Sequence, residues 1–94
     1  MDAERFFIEF LLGTTADQQL ALLSTVTDSQ VKALAEIAYN LPKLTDLGPQ
    51  QNFVTYLGNQ KHTLRYKKSL ITNHAARLVK VLSTVKESLL ELAQ

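Results

Sequence analysis

Ala75-Ala76-Arg77-Leu78-Val79-Lys80-Val81-Leu82-Ser83-Thr84-Val85-Lys86-Glu87-Ser88-Leu89-Leu90-Glu91-Leu92 is the stretch that decides the fold class. Within it Leu78, Leu82, Val85, Leu89 and Leu92 recur at alternating spacings of four and three, the rhythm of a helix packed along a seam. The rhythm lasts about two heptads, fewer than an autonomous coiled coil needs, so it reads as the last and longest helix of a bundle. Working back towards the N-terminus, helical periodicity continues with start and stop signals, and no convincing period-two strand pattern interrupts it.

Thr63 is placed to cap a fifth helix from Leu64 to about Thr72, stopped by Asn73. Before it, a fourth helix starts near Pro49, which suits a first helical position, and closes at Gly58. Thr27-Asp28-Ser29-Gln30 and Thr15-Ala16-Asp17-Gln18 both fit the capping box, in which a Thr side chain and a Gln three residues on satisfy each other's backbone N–H groups. The first opens a third helix with Val31, Leu34, Ala35, Ala38 and Leu41 in one stripe, ended by Pro42. The second opens a helix that buries Leu20 and Leu23, with Val26 following. Asp2 caps a short, very apolar first helix carrying Phe6, Phe7, Phe10 and Leu11, with Gly13 as a left-handed C-cap. Pro42 to Gly48 is expected to be a flexible connection. The expectation is an all-α fold: one domain over residues 1–94, a compact bundle of about five to six short helices with the longest at the C-terminus.

Composition narrows the function classes. The 94 residues suffice for one modest core. Zero Cys removes disulfides, thiolate nucleophiles and cysteine zinc sites together. His62 and His74 stand twelve apart with no carboxylate at a ligand-like offset, so no metal site is expected. No Gly-rich phosphate loop, nucleophile elbow or carboxylate pair in an apolar setting is present, so no catalytic residue, cofactor or small-molecule substrate is expected. The N-terminus lacks the basic start of a secretory signal, and no apolar run reaches the ~18 residues of a membrane span. These features predict an intracellular, non-enzymatic protein.

Charge is unevenly distributed. Residues 1–60 carry seven acids and three bases, whereas residues 61–94 carry seven bases and two acids. From Lys61 to Lys80 there are six bases and no acid. Lys61, Arg65, Lys67, Lys68, Arg77 and Lys80, with Tyr66 among them, form the candidate nucleic-acid-binding set, one face of the fifth helix being cationic and Tyr66 available for stacking. The competing reading is a solvated face with no ligand. A second candidate surface is apolar. Phe6, Phe7, Leu78, Leu82, Val85, Leu89 and Leu92 form a candidate interface for a protein partner or a homodimer, because so short a chain has few internal surfaces to face both terminal helices.

Phe10-Leu11-Leu12, Thr14 to Gln19, Leu22-Leu23 and Thr27 to Leu41, followed by Asn52 to Leu57, Leu64 to Ile71 and Asn73-His74, also carry a resemblance. Over roughly residues 6–82 the chain resembles short uncharacterised helical proteins encoded by invertebrate Polinton (Maverick) elements and adintovirus-like relatives. The resemblance implies a virus-like element product associated with a virion or its DNA, in the host nucleus or the virion. The chain departs from that pattern where Ala75, Ala76 and the apolar stretch Leu78 to Leu82 dilute the basic charge, which shifts weight from tight DNA binding towards assembly with another protein.

Overall fold

The computed structural model describes residues 2–93, and these residues form six α-helices joined by short connections. They are α1 (Ala3–Gly13), α2 (Ala16–Ser24), α3 (Asp28–Leu44), α4 (Gln51–Gly58), α5 (Leu64–Asn73) and α6 (Ala75–Leu92), with a 3-10 turn at Gly48–Gln50 before α4. No strand occurs among the described residues. The C-terminal helix is the longest, at 18 residues against 17 for α3.

The N-terminal caps follow the sequence signals. Asp2 accepts from the Arg5 N–H, Thr63 accepts from the Tyr66 N–H, and both capping boxes form in full at Thr15/Gln18 and Thr27/Gln30. Each supplies side-chain oxygen to N–H groups that have no partner inside the helix.

Two expected stops and the expected flexible connection are drawn differently. Gly13 is the last residue of α1 and has no left-handed backbone; the turn ends when the Thr14 hydroxyl donates to the Phe10 carbonyl. Gly48 is the glycine with positive φ, +56°, where the Asp46 carboxylate accepts from the Gly48 N–H at 2.8 Å. That bond, the buried Leu47 and the 3-10 turn tether the segment expected to be a loose connection. Pro42 does not end α3, which runs on to Leu44. Proline removes one helical N–H and crowds the preceding turn, but here only the final residues follow it, and the Thr45 N–H still reaches the Leu41 carbonyl at 3.1 Å.

Helix α3 is central, packing against α4, α1 and α5, while α2 rests on α6 and α5. One contiguous core results, with Leu11, Leu23, Val31, Val54, Leu57, Ile71, Val81 and Leu82 almost fully enclosed. Leu23 and Val26 are buried as expected, but Leu20 faces outward and Gln19 takes the inner position beside Leu23. Gly58 lets two backbones touch: a Cβ there would lie 2.5 Å from the Tyr39 nitrogen and 2.8 Å from the Ala38 carbonyl carbon. Only glycine permits that approach, and it locks the end of α4 onto the middle of α3. The radius of gyration, 12.2 Å, matches the roughly 12 Å of a compact chain this long.

The seam of α6 therefore lies inside the chain. Leu78, Leu82 and Val85 are buried, as is Phe7 on α1, and Phe6 is half-buried against the same core. The assignment of Phe7, Leu78, Leu82 and Val85 to an intermolecular interface is corrected accordingly: α1 and α6 pack on one shared core, so no second chain is needed to cover them. The seam ends at Val85. Leu89 is exposed at its margin and Leu92 is 83% exposed, because the last turns of α6 pass beyond the packed helices.

Candidate nucleic-acid interface

Lys61 sits in the turn between α4 and α5, where its backbone N–H donates to the Asn59 side chain at 2.9 Å. That bond and the His62 N–H to the Asn59 carbonyl, 3.1 Å, shape the turn so that Thr63 can start α5 at once. Ile71 is the buried anchor of α5, so the opposite face of the helix, with Arg65, Tyr66 and Ser69, is exposed.

The six bases do not form one continuous face. Arg65 and Lys67 are two residues apart, about 200° around a helix. Lys67 is half-buried and turned to the α3 side, and Lys68 is bound to Asp28 at the start of α3, Nζ to Oδ1 3.0 Å. Arg77 on α6 donates to the Gln50 side chain and lies 5.1 Å over the Phe53 ring. Lys61, Arg65 and Lys80 are exposed, and among the described residues none of the three has an ion-pair partner. The structure thus leaves Lys61, Arg65 and Tyr66 exposed around the start of α5, turns Lys67 to the α3 side, leaves Lys80 exposed on α6, and engages Lys68 and Arg77 with neighbouring helices. Those engagements are weak ties: an exposed ion pair such as Lys68–Asp28 contributes about 0–1 kcal/mol.

The turn also builds an aromatic cluster that sequence reading missed. The His62 ring lies 4.4 Å from the Tyr66 ring and 6.4 Å from that of Tyr56. Its Nε2 is shut off from solvent and has no hydrogen-bond partner among the described residues. On the other side of His62 opens a groove of about 310 Å³ between α3 and the α4–α5 turn, whose walls include Lys32, Glu36, Tyr39, His62 and Lys67. Lys43 adds a cation 4.1 Å from the centre of the Tyr39 ring. Lys32 and Tyr39 on α3 are separated in the chain from Tyr56 and His62. Their one local signal was that Tyr39 and Tyr56 fall off the apolar stripes of their helices.

His74 stands edge-on to Phe53, away from His62, and no three His, Cys, Asp or Glu side chains gather into a metal-binding group among the described residues. No described helix is long and apolar enough to cross a membrane. Comparison with protein-family models, curated proteins and solved structures finds no match to the chain.

Proposed function

We propose that the protein is a non-enzymatic binding module that contacts nucleic-acid phosphates through the start of α5. The observation that carries this is the exposure of Lys61 and Arg65, without ion-pair partners among the described residues, in a segment of twenty residues that holds six bases and no acid. Cations so placed are free to replace the counterions condensed on a phosphate backbone, and they supply charge without reading sequence. Arg65, Lys61 and Lys67 carry the contact, with Lys80 extending it and Lys68 and Arg77 contributing less because each gives up a neighbour to join. The resemblance to Polinton and adintovirus-like proteins belongs to the same proposal and assigns the ligand to the genome of such an element, in the host nucleus or the virion.

The test is fluorescence anisotropy with unrelated DNA sequences at about 50 and about 200 mM salt, where a protein making several phosphate contacts loses orders of magnitude in affinity. Converting Lys61, Arg65 and Lys67 together to Gln should weaken binding equally for every sequence and lower the salt slope by about one unit per lost contact. No affinity at low salt, where electrostatic attraction is strongest, overturns the proposal.

A second reading is a protein-interaction module, and it now rests on a smaller surface. Leu90 and Leu92 at the end of α6, with Leu44 at the end of α3, remain well exposed. The Thr45 and Ser88 hydroxyls, 3.2 Å apart, hold the ends of these two helices together. An apolar end of this kind suits a partner helix or a second copy.

A further inference from the structure

All three tyrosines of the chain gather at one side of the molecule, and they are exposed: Tyr39 44%, Tyr56 54% and Tyr66 44%. The phenylalanines go the other way, with Phe7, Phe10 and Phe53 buried and Phe6 half-buried. Tyr39 lines the groove between α3 and the α4–α5 turn, and His62 forms another part of its wall. Tyr66 and Tyr56 flank that same imidazole. Rings and cations therefore share this side: Lys43 lies over Tyr39, Lys32 and Lys67 line the groove with Tyr39 and His62, and His62 packs on Tyr66. The groove, about 310 Å³, is open to solvent rather than enclosed. Glu36 is the one acid on the groove, and the two lysines leave its net charge positive.

Resting on the phosphate-binding reading above, we infer that the preferred ligand is a single strand of nucleic acid, with unpaired bases stacked on the exposed tyrosines and a backbone phosphate held between Lys32 and Lys67. A duplex keeps its bases stacked on one another and offers an aromatic platform nothing but its ends, whereas an unpaired base has a free face. Cationic grooves with aromatic platforms are the usual device for holding single strands without regard to sequence. Lys32 belongs to α3, outside the basic segment, and acquires a part in binding only through the groove.

The experiment measures affinity for an oligothymidylate and for a blunt duplex of equal length, at two salt concentrations, with wild-type protein and with Tyr66→Leu, Tyr66→Phe and Lys32→Gln. The single strand should bind at least about fivefold tighter than the duplex. Tyr66→Leu should lose about fivefold or more on the single strand and little on the duplex, and Tyr66→Phe should retain affinity because it keeps the ring face. Lys32→Gln should reduce the salt slope on the single strand by about 0.7. Both side chains replaced, Tyr66 and Lys32, are exposed, and circular dichroism checks that the helices persist. Equal binding of both ligands, unaffected by Tyr66→Leu and Lys32→Gln, overturns the single-strand assignment while leaving phosphate binding by α5 standing. Absence of binding to either ligand overturns both.

Discussion

Gly58 shows how one side chain, or the lack of one, sets the geometry of the candidate site. The backbones of α3 and α4 meet at Tyr39 and Gly58, and the atoms a new Cβ would strike are backbone atoms that cannot swing aside. Gly58→Ala is therefore expected to destabilise the fold by about 1–3 kcal/mol, lowering the melting temperature by roughly 4–8 °C per kcal/mol. It should also displace Tyr39 from the groove. Gly13→Ala is the control: a Cβ there meets nothing and the backbone is helical, so the melting temperature should hold or rise. If both variants melt together, the close approach at Gly58 is wrong. The same logic separates two leucines of one stripe. Leu82→Ala empties a fully enclosed position and should cost about 2–5 kcal/mol, whereas Leu92→Ala removes an exposed side chain and should change little. Denaturant melts of the two variants check this directly.

At the scale of the helix, capping was readable because it is local. A Thr and a Gln three residues later need only their own turn to satisfy one another, so the starts of α2 and α3 stood in the sequence complete. Thr27→Ala should cost about 1 kcal/mol, and it also loosens the turn that presents Asp28 to Lys68. Urea unfolding with an unchanged midpoint would contradict the cap. The ends of helices were less legible. Pro42 is a stop in isolation, yet tertiary packing and the small number of residues beyond it let α3 continue to Leu44. The register of α2 was also beyond local reading: Leu20 is the more apolar residue, but α5 and α6 present their surfaces to Gln19 and Leu23. In α5 the sequence displayed how many cations there were and hid where they pointed, since the position of Ile71 in the core turns Lys67 and Arg65 to different sides.

For the whole molecule, the decisive fact is that one core accommodates both terminal helices. With Phe7, Leu78, Leu82 and Val85 inside, the aliphatic side chains left exposed are Ile8 and Leu12 on α1, Leu20 and Leu22 on α2, and Leu44, Leu89, Leu90 and Leu92 on the last turns of α3 and α6. A stable homodimer usually buries about 800 Å² on each partner, more than any one of these small groups of side chains readily supplies. Light scattering at low micromolar concentration is accordingly expected to find a 10.5 kDa monomer. A dimer that Leu90→Glu and Leu92→Glu together dissociate would instead give the self-assembly reading its surface.

The sequence by itself determined the all-α class, the approximate number of helices, the N-terminal caps of α1, α2, α3 and α5 and the apolar stripes of α3 and α6, because each depends on residues within a few turns of one another. It also determined the charge asymmetry, which is a property of composition. Only the tertiary structure decided which apolar faces meet, that the α6 seam is internal, and that Lys68 and Arg77 are drawn to Asp28 and Gln50. It alone brought Lys32 and Tyr39 from α3 to His62 and Lys67 across the chain. The physical reason is that periodicity records which side of a helix is apolar but not what that side is packed against. A groove exists only where two helices, distant in sequence, are held side by side by the core beneath them.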